Sequence, residues 1–354
     1  MRTSIVHIVF RYSLIWFFSG LALETVSAKD NGPGIKNFFE QDIQVSIGGS
    51  PVSNGHLQDF GAINLLSTSS AITVTIENNG SPEDLTINTI TLGGTHSADY
   101  TLTLPGLPLT LGPAATTTFT ISFSPLLSGV RTATLQIYSD DPDTNPFIIN
   151  LQGSGVKLNQ TITFNPLTPR TFGDGSFALS ATSSSGLPVS YSSSNPLVAT
   201  ISGNTVTIVG AGTTTITASQ LGNDTYNPAT AVDQNLLVDK ATPVITWNTP
   251  AAITYGTALS ATQLNATASV GGTFVYTPAA GAVLNAGVQV LSVDFTPTDA
   301  TNYNTVTGTT VNLTVNKATP TVTWATPAAI TYGTALSATQ LNATASVGGT
   351  FVYT

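Results

Sequence analysis

The chain has 354 residues, no cysteine, and 18 Asp/Glu against nine Lys/Arg, giving a net charge of −9. The lack of cysteine excludes disulfides and thiol or Cys-metal chemistry. The acidic balance speaks against nucleic acid and anionic lipid as partners, since both are bound through Lys and Arg.

The N-terminus has the pattern of a secretory leader. Arg2 and Arg11 supply a positive start, and Ser13-Leu-Ile-Trp-Phe-Phe-Ser-Gly-Leu-Ala-Leu23 is an apolar run. Val26-Ser-Ala28 then presents small residues for cleavage, with Lys29-Asp30 opening the mature chain. The apolar run is shorter than the ~18 residues needed to span a bilayer, so cleavage is expected rather than membrane insertion. Removing Arg2, Arg11 and Glu24 with residues 1–28 leaves seven Lys/Arg against seventeen Asp/Glu, a net charge of −10. Only 8% of residues are charged and 41% are hydrophobic, the reverse of a disordered composition.

Residues 29–41 form a lead-in rich in turn formers. From 42 to 156, five runs alternate apolar and polar residues: Ile72–Ile76, Leu85–Ile90, Phe119–Phe123, Ala133–Ile137 and Phe147–Leu151. Period-2 runs separated by Gly, Pro, Asn and Asp predict a two-sheet sandwich, each sheet giving one face to the core. Within this stretch Asp59-Phe-Gly61, Ile76-Glu-Asn-Asn-Gly80, Asp99-Tyr-Thr-Leu102, Phe123-Ser-Pro125 and Ser139-Asp-Asp-Pro-Asp143 follow one another. Taken together they resemble the Hydin-type (ASH-like) immunoglobulin domains of bacterial choice-of-anchor surface proteins. The resemblance implies an immunoglobulin-like sandwich with an association or adhesion role and no catalytic residues.

From Leu158 a different β module repeats. Thr163-Phe164 with Thr171-Phe-Gly173 matches in spacing Thr246-Trp247 with Thr254-Tyr-Gly256, then Thr323-Trp324 with Thr331-Tyr-Gly333. Tyr226-Asn227 and Tyr303-Asn304 each lie fourteen residues before a lysine, Lys240 and Lys317, that opens the linker Lys-Ala-Thr-Pro. Ala241–Thr277 returns as Ala318–Thr354, 77 residues later, with only Val244/Thr321, Ile245/Val322 and Asn248/Ala325 changed among 37 positions. The boundaries expected are therefore 157–240, 241–317 and a half-repeat 318–354, in a tandem array of small β domains. Ser184–Tyr191, Val206-Thr-Ile208 and Gly210–Thr217 resemble the bacterial immunoglobulin-like modules of exported adhesins and surface-layer proteins. The last two read as short strands joined by a Gly turn.

Trp247 and Trp324 are expected to fill the core near the start of their modules, with an exposed sugar-binding platform as the alternative. Tyr226 and Tyr303 suit a tyrosine corner, the hydroxyl tying a loop to backbone. Pro243 restricts Thr242 to extended backbone, so the Lys240–Pro243 linker predicts a semi-rigid rod. The half-repeat has too few residues to close a sandwich, and it is expected to be loosely structured and prone to β-pairing.

Candidate chemistry is sparse. After the leader only His56 and His96 remain, in Ser-Asn-Gly-His and Gly-Gly-Thr-His, which read as solvated turns rather than a shared metal site. No Gly-x-Ser-x-Gly elbow occurs. Asp140, Asp141 and Asp143 form the one acidic cluster. It lacks the Gly and closing Glu of an EF-hand, and reads either as a capped turn between strands or as a calcium site. Leu107-Pro-Leu-Thr110 is not followed by Gly or by a hydrophobic tail, so it is no sorting signal, and Gly93-Gly94 and Gly173-Asp-Gly175 are turns.

These residues predict an all-β chain of tandem immunoglobulin-like sandwiches, with no catalytic residues and no cofactor. The resemblances imply a secreted structural or adhesive surface protein, with a cell-surface protein or glycan as partner. Two alternatives stay open: the accessory region of a secreted polysaccharide- or cell-wall-active enzyme, and a carbohydrate-binding module.

Overall fold

The computed structural model describes residues 41–354, so the leader at 1–28 and the lead-in up to residue 40 lie outside the described residues. The described chain is built from strands, with one short 3-10 turn at Ser97–Asp99. Among the described residues no helix is long and apolar enough to cross a membrane. Two compact units are present, one made mainly of residues up to Ser154 and the other mainly of Gly155–Thr354.

The first unit is a sandwich of two five-stranded sheets. One sheet sets side by side Ser50–Val52, Ile43–Ile47, Ile72–Asn78, Thr116–Phe123 and Tyr100–Thr103. The other sets His56–Asn64, Phe147–Val156, Gly129–Ser139, Leu85–Gly93 and Leu109–Leu111. All five alternating runs of the sequence lie inside these strands. In the first sheet Val74 pairs opposite Phe119, and Ile72 opposite Ile121. Val45, Val74, Ile76, Phe119, Ile121 and Phe123 from this sheet meet Leu85, Ile87, Leu135, Ile137, Ile149 and Leu151 from the other. Burial of each such side chain contributes roughly 1.5–3 kcal/mol, which is how a core without disulfides holds. Gly153 is fixed by this packing: a Cβ there would lie 2.5 Å from the Phe123 ring.

The second unit contains two further cores. In 157–240, Phe164, Leu179, Val198, Val206, Ile216, Leu236 and Val238 are buried together. A four-stranded sheet carries Arg170–Thr171, Val232–Asp239, Gly212–Ser219 and Ser190–Ser193, in that order, and its first pairing is parallel, Arg170 against Val238. A three-stranded sheet carries Phe177–Ala178, Thr205–Ile208 and Ala199–Ser202. Thr205–Ile208 and Gly212–Ser219 thus belong to different sheets, and the glycine turn between them carries the chain across the core rather than closing a hairpin.

In 241–317 the same plan recurs in reduced form. Ile253–Thr254, Val306–Asn316, Gly287–Pro297 and Gly272–Thr277 form the four-stranded sheet, again with a parallel first pairing, Ile253 against Val315. A single bridge, Ala258 to Val283, stands where the three-stranded sheet would be. Ile253, Leu259, Leu264, Leu291, Val311, Leu313 and Val315 form the core, with Trp247 and Tyr276 packed against it.

Residues 318–354 keep the short pair Val322–Thr323 with Thr344–Ala345. The stretches matching Ile253–Thr254 and Gly272–Thr277 form no strand here. Their partners in 241–317 are Val306–Asn316 and Gly287–Pro297, and no such strands lie against 318–354 among the described residues.

Candidate interaction surface

Two members of the acidic cluster, Asp140 and Asp141, bind backbone N–H groups of the turn and of neighbouring strands. Asp141 is buried, and one carboxylate oxygen accepts the N–H groups of Asp143 (2.8 Å) and Thr144 (2.9 Å). Its other oxygen accepts the Ile43 N–H at 2.8 Å, pinning the first strand of the sheet. Asp140 accepts the Thr86 N–H at 2.8 Å. These carboxylate oxygens of Asp140 and Asp141 are thus directed at backbone donors. Among the described residues no group of three or more His, Asp or Glu is placed to hold a metal ion.

The two histidines are less solvated than their turn-like sequences imply. His56 is half-buried at the start of its strand. His96 is half-buried too, and its Nδ1 accepts the Thr132 N–H at 3.0 Å, so the ring fastens a neighbouring strand. Nearby, Arg131 donates from Nε to the fully buried Asp99 carboxylate. Tyr100 donates its hydroxyl proton to the Arg131 carbonyl at 2.9 Å. Burial of the Tyr100 phenol, with the Asp99 charge beside it, pushes its pKa up to about 12. This network ties Asp99 and Tyr100 to the strand that carries Arg131.

The tyrosine corner falls on other residues than the sequence suggested. Tyr226 and Tyr303 make no hydroxyl hydrogen bond among the described residues; they act through backbone. Leu158 bridges Tyr226 and Ala241 bridges Tyr303, so each Tyr-Asn pair clasps the opening residue of its own segment. Asn227 N–H reaches Leu158 O at 2.8 Å, and Asn304 N–H reaches Ala241 O at 2.8 Å. The hydroxyls that tie loops are those of Tyr191, Tyr276 and Tyr353, which accept the N–H of Ala181 (2.8 Å), Ala266 (3.0 Å) and Ala343 (3.0 Å). Each donor lies ten residues upstream of its tyrosine, a spacing legible in the sequence once the pairs are known.

Every one of these tyrosines carries an aromatic neighbour. Ring centroids are 5.8 Å apart for Phe164–Tyr191, 5.4 Å for Trp247–Tyr276 and 5.2 Å for Trp324–Tyr353. Trp247 donates its indole N–H to Gln263 O at 3.0 Å, and Trp324 to Gln340 O at 2.9 Å. Trp247, expected to fill its core, is half-buried and packs against it. Trp324 makes the same contacts yet is 50% exposed.

That exposure goes with an apolar cavity. A cavity of 420 Å³ is lined by Trp324, Pro327, Ile330, Leu336, Leu341 and Tyr353, among others. Their counterparts 77 residues earlier are core: Ile253 and Leu259 are 9% and 2% exposed, whereas Ile330 and Leu336 are 44% and 61%.

A second feature is the joint between 157–240 and 241–317. Ala211 donates its N–H to Asn302 Oδ1 at 2.7 Å, and the Phe172 and Tyr303 rings meet edge-on at 5.5 Å. Asp299 orders this loop, accepting the Asn302 side-chain and backbone N–H groups and the Thr301 N–H. The hydrogen bond from the Asn302 side chain is the main reason its carboxyl titrates below the usual range.

A family model described as the intimin immunoglobulin-like domain matches residues 177–221. No curated protein matches the chain. Among solved structures, the chain is similar to the VesB protease of Vibrio cholerae, at 13% identity and a TM-score of 0.24 over 31% of this chain and 32% of that one. It therefore spans about a third of the VesB chain. It is also similar to the ASH/PapD-like domain of human CEP192, at 13% identity and a TM-score of 0.23 over 38% and 97% of the two chains. Immunoglobulin domains 1–5 of Sidekick-1 are similar at 11% identity and a TM-score of 0.25, over 79% and 74%. None of these structural likenesses bears on activity. The chain is an all-β protein of immunoglobulin-like sandwich domains.

Proposed function

We propose that the chain is an exported, non-catalytic surface protein. Its modules 42–156, 157–240 and 241–317, with the half-module 318–354, would act as spacer or binding units. The observation that supports this most is the joint: Asn302 and Tyr303 of one module grip Ala211 and Phe172 of the module before it. Such contacts at a junction suit a protein whose length and direction matter, because they hold successive modules in one orientation. The acidic balance and the leader pattern fit an extracellular location, and a cell-surface protein or a glycan is the partner class. Specific recognition would reside in loops at the sandwich ends or on open strand edges.

The test is export and binding of the full chain. Expressed in a bacterial host, it should reach the cell surface or medium with Lys29 as its N-terminus, and should bind cells or an immobilised surface protein saturably without turnover of polysaccharide or peptide substrates. Retention in the cytoplasm with residues 1–28 intact would sink the reading. One second reading is a carbohydrate-binding module, in which an aromatic side chain such as Trp324 would stack on a sugar ring. Glycan binding lost in Trp324→Ala but kept in Trp247→Ala would support it.

A further inference from the structure

We propose that a groove across one sheet of the first unit binds an uncharged oligosaccharide. This rests on a glycan being the partner of the chain, and it fixes the place of contact and the charge of the sugar.

A cavity of 320 Å³ is lined by Leu57, Gly94, Thr95, Thr132, Thr134 and Asn150, among others. Leu57 lies on His56–Asn64, Asn150 on Phe147–Val156, and Thr132 and Thr134 on Gly129–Ser139. Gly94 follows directly on Leu85–Gly93. These are four neighbouring strands of one sheet, in that order. The groove therefore runs across the strands, and three strand spacings make it roughly 14–15 Å long. Thr134 and Asn150 sit at outward positions, because Ala133, Leu135, Ile149 and Leu151 beside them are buried in the core.

None of the residues lining the groove is charged. An anionic ligand finds no cation here and a cationic one no carboxylate, so either charge would lose water without gaining a partner. What the groove offers is neutral hydrogen bonding. The hydroxyls of Thr95, Thr132 and Thr134 and the Oδ1 of Asn150 have no hydrogen-bond partner among the described residues. Donors and acceptors thus stand together, which suits sugar hydroxyls, since each of those is both. Leu57, 53% exposed, adds an apolar surface for the C–H face of a ring. A peptide strand would instead need an open sheet edge, and Gly129–Ser139 and Phe147–Val156 are interior strands.

The polar groups are also held in place. Asn150 Nδ2 donates to Gly55 O at 2.8 Å, which fixes the amide and leaves its Oδ1 unpaired. His96 grips Thr132 twice. Its N–H donates to Thr132 O at 3.3 Å, and its Nδ1 accepts the Thr132 N–H at 3.0 Å, so Thr95 is kept beside that strand. Gly93 pairs opposite Thr134, and a Cβ there would lie 3.1 Å from Thr134 Oγ1. A glycine inside a strand leaves room for close approach, and here it keeps the Thr134 hydroxyl uncovered. Groups set in advance lower the ordering cost of binding.

The experiment is calorimetric titration of the full chain with cellohexaose, chitohexaose, xylohexaose and mannohexaose, and with hexagalacturonate as an anionic counterpart. At least one neutral sugar should bind saturably, and hexagalacturonate should not. Thr134→Val removes one hydroxyl at nearly constant shape and should weaken binding about tenfold, the effect of one lost hydrogen bond. Gly93→Val covers that hydroxyl and should weaken binding at least as much. Thr118→Val, the same exchange at an exposed position of the opposite sheet, should change nothing. If Gly93→Val melts well below the parent, Thr134→Val alone decides.

Binding of none of the four neutral sugars, equal binding of hexagalacturonate, or unchanged binding in Thr134→Val would overturn the groove. Sugar binding that is lost in Trp324→Ala and intact in Thr134→Val would reject the groove and keep the glycan. Saturable attachment to cells with no sugar bound would reject both and leave the spacer role standing.

Discussion

Trp247 and Tyr276 stand edge to face, and each also holds backbone of the loop between them, the indole at Gln263 and the phenol at Ala266. The pair does by side chains what a sheet does elsewhere: it satisfies buried polar backbone where the strands are only two residues long. Removing the hydroxyl in Tyr276→Phe leaves the Ala266 N–H without its acceptor and should cost about 1–3 kcal/mol. Tyr191→Phe should lose a similar amount through Ala181. Trp247→Phe should cost less, about 1 kcal/mol, because Phe164 already fills the equivalent place and only the bond to Gln263 is lost. Chemical denaturation of the full chain reads all three. Equal stability of Tyr276→Phe and the parent would show the hydroxyl to be idle.

Asp141 provides the second prediction. Three backbone N–H groups from two regions converge on its carboxylate. Asp141→Ala should therefore destabilise the first unit by about 2–4 kcal/mol, through donors left unsatisfied. Calcium or a chelator should leave the melting midpoint of the parent chain within about 1 °C, since a ligand that does not bind the native state cannot shift it. A calcium-dependent rise of several degrees, absent in Asp141→Ala, would support the calcium reading.

What the sequence disclosed follows from periodicity. The five long strands of the first unit were legible because one face of each is buried and the other wet, so that alternation survives in the residues. The 77-residue repeat was legible as identity. The roles of Tyr226 and Tyr303 were misread because a recurring tyrosine suggests a side-chain role, whereas here the recurrence marks a backbone clasp. Tyr191, Tyr276 and Tyr353 passed unnoticed for the opposite reason: their partner is an N–H, which leaves no residue type to conserve. The joint was hidden too, since the bond between Asn302 and Ala211 spans 91 residues and uses backbone on one side. His96 looked solvated because local turn composition says nothing of a strand arriving from residue 132.

Tyr100 makes stability fall in alkali. Its folded pKa, about 12, lies above the ordinary phenol value of 10.0. The neutral phenol is thus favoured by folding, and the contribution is fully present below pH 10 and is lost as pH rises from 10 through 12. Two pKa units correspond to on the order of 2–3 kcal/mol. Denaturation between pH 9 and 12 should show this loss in the parent chain and a shallower slope in Tyr100→Phe, which keeps the ring packed between Phe60 and Phe123. Parallel slopes would mean that other groups cause the alkaline loss.

The joint gives the last prediction. Two mechanisms could hold 157–240 and 241–317 in line: the extended Lys240–Pro243 linker, with Pro243 restricting Thr242, or the side contacts of Asn302 and Tyr303. They separate experimentally. Phe172→Ala with Asn302→Ala removes both side contacts and leaves the linker untouched. Each contact lies at an exposed or half-buried site, so the loss of stability should be small, about 1 kcal/mol. The loss of alignment should be large. Residual dipolar couplings of the full chain should fit one alignment tensor for the two segments in the parent, and two tensors of different magnitude in the double variant. Asp299→Asn should give an intermediate result, because it weakens the acceptor that orders Thr301 and Asn302 while leaving the Phe172–Tyr303 contact in place. A shared tensor in the double variant would assign the stiffness to the proline linker alone.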